Sequence, residues 1–242
     1  MTEMVGLGLA PSLSYEQAAF TGFLIDMDGT IIDSTHTIVK HWNAVGEEIG
    51  VDPELILATC HGRRSIDVLK VAAPEKGNVN VQMLEARSVE KFKQDVVVIP
   101  DARPFLEALS APSALWAIVT SGTEPGVNGW IKTLNLSNVD GLVTAESVID
   151  GRPDPTCYQI GLRKLGLQDQ AAQVPVLEDS PAGIEAGKAA GCKVLAVATT
   201  HSMEQIVAAG PDWIVKDLGS IKVVDEVEGR IIVEISDVLG RG

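Results

Sequence analysis

The segment Asp26-Met27-Asp28-Gly29-Thr30 ends an apolar run with two carboxylates one residue apart, followed by a glycine suited to a sharp turn. Two aspartates held this close repel each other unless a cation sits between them. A hard divalent ion such as Mg²⁺ takes oxygen ligands and commonly keeps waters and a substrate phosphate. Asp-x-Asp-Gly is also an acidic turn or part of a calcium loop. Thr30-Ile31-Ile32, however, supplies one hydroxyl where such a loop needs further oxygen ligands. Three later segments carry compatible chemistry. Thr120-Ser121-Gly122 follows the apolar Leu115–Val119; a hydroxyl and unpaired backbone N–H groups at a strand-to-helix junction hold phosphate oxygens, or simply cap a helix. Gly151-Arg152-Pro153-Asp154-Pro155 sets a guanidinium among turn residues, where it neutralises a carboxylate and a phosphoryl group or else lies in solvent. Glu178-Asp179-Ser180-Pro181-Ala182-Gly183 follows Val174–Leu177. A helix dipole accounts for one carboxylate there more easily than for two.

Positioning these groups requires strands. Phe20–Ile25, Leu115–Val119, Leu142–Val143, Val174–Leu177, Lys193–Val197 and Trp213–Val215 are rich in apolar and β-branched residues and alternate with helical stretches. The pattern predicts an α/β fold with a doubly wound, mostly parallel, Rossmann-like sheet. Ligands of such sheets bind beyond the carboxyl ends of the strands, and all four segments fall there. Asp154-Pro155, Ser180-Pro181 and Ser202 with Gln205 mark helix starts. From Ser34 to about Asp95 strand-like segments give way to helical patterns, broken at Val51-Asp52-Pro53, His61-Gly62 and Pro74–Asn80. The expected division is a core of residues 1–33 and 96–242 with a small helical domain, residues 34–95, inserted after the first strand. Ile221–Val224 and Arg230–Ile235 flank an acidic, glycine-containing turn and predict a hairpin attached to the sheet edge.

The chain has 242 residues, 45% of them hydrophobic, enough for a sizeable core. Nineteen basic residues against 33 acidic ones give a formal charge of −14, which argues against nucleic acid or an anionic membrane as partner. An anionic substrate would therefore need a cation or a few aimed basic groups to reverse the potential locally. Met1–Phe20 has neither the pattern of a secretory leader nor that of a transit peptide, and no apolar run is long enough to span a bilayer. Cys60, Cys157 and Cys192 lack zinc-type spacing and predict small buried residues in a reduced, cytoplasmic protein. His36 and His41, five residues apart, do not stack on one helix face, and no metal role is assigned to histidine. The four tryptophans are assigned to packing.

As a set, Asp26-Met27-Asp28-Gly29-Thr30, Thr120, Arg152 and Glu178-Asp179 resemble, in order and spacing, the four motifs of haloacid dehalogenase-type phosphatases, from about Phe20 to Trp213. The resemblance implies that Asp26 attacks phosphorus to form an aspartyl-phosphate, while Asp28 protonates the leaving alkoxide and then activates water. It assigns Mg²⁺ to Asp26, the Asp28 backbone carbonyl and Asp179, with Glu178 as a further or supporting ligand, and phosphoryl oxygens to Thr120 and Arg152. Gly29, Thr30, Ser121 and Gly122 are further candidate substrate-binding residues. The helical insertion resembles a cap whose loop His61-Gly62-Arg63-Arg64 would bring Arg63 and Arg64 to the substrate; alternatively both arginines lie in solvent. With Thr120-Ser121-Gly122-Thr123 and Glu178 to Gly183, the stretch His61-Gly62-Arg63-Arg64-Ser65-Ile66-Asp67 is similar to fungal glycerol-phosphate and 2-deoxyglucose-6-phosphate phosphatases. Arg152 stands where the family usually has lysine, a planar fork in place of a point charge. The implied partner is a small phosphorylated metabolite, the protein being a monomer or weak homodimer. Dehalogenases proper lack the second aspartate, so Asp28 favours phosphate chemistry. A phosphosugar mutase, a phosphatase of isoprenoid phosphates and a non-catalytic phosphometabolite-binding module remain alternatives.

Overall fold

Two strands precede the first acidic motif, β1 (Tyr15–Phe20) and β2 (Phe23–Ile25), in a computed structural model that describes residues 15–76, 79–110, 114–136 and 141–242. The leader reading of Met1–Phe20 therefore lies, for residues 1–14, outside the described residues, as do residues 77 and 78 of the break at Pro74–Asn80. After the motif come β3 (Ile32–Asp33) and the helices α1 (Thr35–Ile49), α2 (Pro53–Leu57), α3 (Ser65–Ala72) and α4 (Val81–Phe92). The chain returns through β4 (Val97–Val98), α5 (Ala102–Ala108), β5 (Trp116–Val119), α6 (Glu124–Thr133) and β6 (Leu142–Val143). It continues with α7 (Thr156–Leu165), β7 (Pro175–Glu178), α8 (Pro181–Ala189), β8 (Lys193–Val197), α9 (Met203–Ala208) and β9 (Trp213–Val215). A hairpin, β10 (Ile221–Val227) and β11 (Arg230–Ser236), follows.

Six strands pair in the order β6-β5-β2-β7-β8-β9, every pairing parallel. The chain builds outward from β2 through β5 and β6, then crosses back to build β7, β8 and β9 on the other side. The carboxyl end of β2 is thus the switch point at which such sheets open a crevice. Alternation along each strand divides the core into two layers. Ile25, Ile118, Leu177 and Leu195 pack with Phe105 of α5 and Trp130 of α6, whereas Leu24, Ala117, Val176 and Val194 pack with Tyr158 of α7 and Ile184 of α8. With both faces covered, the central strands β2 and β5 are wholly apolar, as buried parallel strands require.

Two expectations are corrected. Phe20–Ile25 is not one strand: the chain breaks at Thr21-Gly22, and β1 joins a different sheet. Gly22 lies so near the next strand that a Cβ would come within 2.6 Å of the Leu115 carbonyl oxygen. The C-terminal hairpin, in turn, is not attached to the edge of the main sheet. It forms a three-stranded antiparallel sheet with β1, in the order β1-β11-β10, because Ile231, Val233 and Ile235 bury against the same apolar layer as Phe20. The edge at β9 is covered instead by the tail: Ile214 donates its N–H to the Gly240 carbonyl at 2.9 Å, and Leu239 donates to the Ile214 carbonyl at 2.8 Å.

Residues Thr35 to Phe92 fold outside the sheet around their own apolar cluster, which includes Trp42, Val45, Ile56, Leu69 and Leu84. The segment leaves and re-enters beside itself, since β3 pairs with β4 through Ile32–Val98 and Asp33–Val97. Local sequence marks its helix ends: Asp52 accepts from the Glu54 N–H, Asn80 accepts from the Met83 N–H, and α1 stops at left-handed Gly50.

Asp212 ties α8 and β8 together, accepting from Lys188 Nζ and Lys193 Nζ, each at 2.8 Å, and from the Val194 N–H at 2.9 Å. Partial burial opposes its charge, but these three donors win and hold its pKa below the ordinary carboxylate value. A depressed folded pKa stabilises above the unfolded value and loses that stability as pH falls through the folded one. Asp212→Asn should cost about 1 kcal/mol at pH 7, a figure discounted for exposed lysine partners. The difference from wild type in urea midpoint should close as pH falls below about 4; a pH-independent difference would refute the charge-based role.

Candidate active site

Asp26 is the first residue past β2, and its N–H continues the ladder to the Leu177 carbonyl at 3.0 Å, so the central strands fix its position. Arg152 donates from Nη1 to Asp26 Oδ1 at 2.7 Å and lies 2.5 Å from Glu178 Oε1. Its Nη2 donates to the Val119 carbonyl at the end of β5, at 2.7 Å. One planar fork therefore ties together the ends of β2, β5 and β7, which a lysine ammonium lacks the span to do.

Glu178 is fully buried and both its oxygens are taken. Oε1 also accepts from Tyr158 Oη at 3.0 Å; Oε2 accepts from the N–H groups of Asp179 and Ser180, at 2.9 and 2.8 Å, and from Ser180 Oγ at 3.0 Å. Gly183 leaves room for this carboxylate, which a Cβ there would meet. Asp26, Glu178 and Asp179 nevertheless bring one oxygen each within 4.8 Å of one another. Asp179 accepts from Thr200 Oγ1.

Asp28 accepts from Ser34 Oγ at 2.5 Å. Gly29 adopts φ of 86° and passes so close to Asp179 that no side chain could replace its hydrogen; its carbonyl accepts from Thr199 Oγ1. Thr30 is fully buried, its Oγ1 without a partner among the described residues. Thr120, at the end of β5, accepts from the Gly122 N–H at 3.1 Å. Asp26, Asp28, Gly29, Thr120, Ser121, Gly122, Arg152 and Asp179 all line one cavity of about 130 Å³, closed from the other side by the helical segment.

Loop 61–64 reaches the sheet, but its two arginines part. Arg63 lines the cavity. Arg64, predicted to read substrate, is turned away and buried: Nε bonds Asp67 Oδ2 at 2.6 Å, Nη1 donates to the Ala145 and Val148 carbonyls at 3.2 and 2.7 Å, and Nη2 donates to Ile149 at 2.8 Å. With its donors on both ends consumed, it fastens the loop to the core. Ser121 Oγ donates to the Gly62 carbonyl at 3.0 Å, and a Cβ on Gly62 would sit 2.7 Å from Ser180 Cβ. Glu85 of α4 makes a third link, accepting from Ser65 Oγ at 2.5 Å and from Thr123 N–H and Oγ1, each at 2.7 Å.

Four buried carboxylates thus surround one guanidinium. Burial drives the pKa of Asp26 well above the ordinary carboxylate value; Arg152 opposes this, while Glu178, Asp179 and Asp28 reinforce it. Burial likewise raises Asp179, with Glu178 adding to the effect and the Thr200 hydroxyl easing it. Asp28 is raised by burial against the bond from Ser34 and the charge of Arg152. Burial works against the charge of Arg152, but Glu178, Tyr158 and Asp26 keep it firmly protonated. A surplus of buried negative charge on oxygen donors alone is the environment that a hard divalent cation relieves.

Several of these groups escaped the sequence reading. Tyr158 and Glu85 lie within helices, and nothing local distinguishes them from ordinary core and surface positions. Thr199 and Thr200 could have been found, since they lie two and three residues past the end of β8 and the strand-end rule applies to them equally.

The sequence model of the haloacid dehalogenase-like hydrolases matches residues 23–197. Glycerol-1-phosphate phosphohydrolase 2 of Saccharomyces cerevisiae is 37% identical, with 85% of this chain and 88% of the relative covered. Hexitol phosphatase A of Escherichia coli is 32% identical over 88% of this chain and 98% of its own. 2-Deoxyglucose-6-phosphate phosphatase 1 of S. cerevisiae is 32% identical over 90% and 96%. Among solved structures, a hydrolase from Pseudomonas syringae superposes with a TM-score of 0.68 at 21% identity, covering 81% of this chain and 93% of that one, a likeness of fold. Strand order, the acidic crevice at the switch point and these similarities agree: the chain belongs to the haloacid dehalogenase-like hydrolases.

Proposed function

We propose that this protein is a magnesium-dependent phosphomonoester hydrolase acting on a small polyol or sugar phosphate, with Asp26 as nucleophile. The observation that carries the reading is the placement of Asp26, buried at the switch point between the Arg152 guanidinium and an oxygen cluster suited to a divalent cation. The relatives named for glycerol-1-phosphate, hexitol and 2-deoxyglucose-6-phosphate chemistry support the substrate class.

In this reading Asp26 and Asp179, with the Asp28 carbonyl, hold Mg²⁺, and Glu178 supports them through Arg152 and the backbone of Asp179. Bound Mg²⁺ supplies positive charge that keeps Asp26 ionised and offsets the phosphoryl charge. Arg152 and Thr120, with the Ser121 N–H, hold the phosphoryl oxygens, and the Gly122 N–H orients the Thr120 hydroxyl. Asp26 attacks phosphorus and the ester P–O bond breaks; Asp28, whose raised pKa suits a proton donor, passes its proton to the departing alkoxide. Asp28 then takes a proton from water as that water attacks the aspartyl-phosphate, which frees Asp26 and inorganic phosphate. Ser34 fixes the rotamer of Asp28 through its 2.5 Å bond. Residues 34–95 act as a cap that keeps bulk water out, and Arg64 latches it.

Phosphate release from glycerol phosphates, hexitol phosphates and 2-deoxyglucose 6-phosphate should require Mg²⁺, stop with EDTA and vanish in Asp26→Asn. Asp28→Asn should lower kcat by about 10²- to 10⁴-fold. Phosphate transfer back to sugar without release would indicate a mutase, and ligand binding without turnover a binding module. Arg64→Ala should leave the protein folded by circular dichroism, speed proteolysis within the 61–64 loop and lower kcat/KM at least tenfold. Unchanged protection of that loop would exclude the latch.

A further inference from the structure

The cap wall of the cavity holds two polar groups that the chemistry above does not use. Thr37 and His41 line it from α1, spaced four residues apart and so stacked on one helix face. They are 3% and 8% exposed, and neither Thr37 Oγ1 nor His41 Nε2 has a hydrogen-bond partner among the described residues. Buried polar atoms are normally paired, and two unpaired ones on one helical turn of a cavity wall call for a ligand that pairs them. Burial, with Arg87 adding to it, lowers the His41 pKa to about 4, so the ring is neutral and its Nε2 either donates or accepts. Beside them Ile38 and Trp42 give the same wall an apolar strip, and His41 meets Trp42 edge-on at 5.0 Å.

From this geometry we infer that Thr37 and His41 form a hydroxyl-reading subsite: they hydrogen-bond the carbon-borne hydroxyls of a short polyol monophosphate, whose C–H face lies on Ile38 and Trp42. The inference rests on the phosphomonoester reading, since Asp26, Arg152 and Asp179 line the same cavity and place the phosphoryl end. At about 130 Å³ the cavity compares with those that admit a ligand of roughly six carbons. Thr37 and His41 are then specificity determinants, since a site built to bond hydroxyls rejects analogues that lack them.

The test separates this subsite from turnover. In the full-length Asp26→Asn protein with Mg²⁺, calorimetry compares glycerol 3-phosphate with propyl phosphate, which has the same phosphoryl group and chain length but no free hydroxyl. Glycerol 3-phosphate should bind at least tenfold more tightly. Thr37→Val and His41→Phe in the same background should each bring that ratio down about tenfold or to unity, and Thr37→Ser should keep it. Thr37→Val should also melt no lower than its parent, because it removes an unpaired buried hydroxyl. Equal binding of the two esters, or a ratio that survives both apolar variants, overturns the subsite. Wild-type hydrolysis of both esters at equal efficiency would likewise overturn it while leaving the phosphatase reading intact. A hydroxyl-dependent ratio without phosphate release from wild type would do the reverse.

Discussion

The arrangement of this protein depends on a surplus of buried negative charge. Asp26, Asp28, Glu178 and Asp179 converge where the parallel sheet changes direction, and one guanidinium answers them. Such a cluster is tolerable only if each oxygen has a donor or a cation. Much of the surrounding structure meets that need: Tyr158 from α7, the first N–H groups before α8, the hydroxyls of Ser34, Ser180 and Thr200, and the Arg152 fork. Glycines at 29 and 183 let backbone approach these carboxylates where any side chain would collide.

The same crowding couples the helical segment to the chemistry. Ser121 follows Thr120 and bonds the Gly62 carbonyl, Ser180 both caps α8 and abuts Gly62, and Glu85 grips Thr123. Groups at the ends of β5 and β7 are therefore one bond removed from groups that hold the helical segment. Moving that segment away from the sheet would break contacts to the motif loops themselves. Arg64 shows this most clearly, because it spends a buried guanidinium on carbonyls of 145, 148 and 149, just before the loop that presents Arg152.

Arg152 in place of the family's usual lysine also acquires a physical account. A lysine would offer one point charge to Asp26. The guanidinium bonds Asp26, lies against Glu178 and ties back to the Val119 carbonyl, with its carbon 5.2 Å from the centre of the Tyr158 ring. The substitution is thus accommodated by acceptors on three strands, and Tyr158 belongs to it as much as to the core.

The parallel sheet, its switch point and the strand-end motifs were legible in the sequence because fully buried strands read as continuous apolar runs, and chemistry that needs a crevice can sit only after them. Asp26, Asp28, Thr120, Arg152 and Asp179 were found that way and do line one cavity. What stayed hidden depends on long-range approach. No local pattern says that β1 pairs with β11 across more than two hundred residues, that Arg64 is buried while exposed Arg63 borders the cavity, or that Glu85 reaches Thr123. The unpaired atoms of Thr37 and His41 are a property of their surroundings and not of their residue types. Sequence determined which groups carry charge and where strands deliver them. Only the tertiary structure decided which partners each group meets, because a side chain's direction and burial are set by elements distant in the chain.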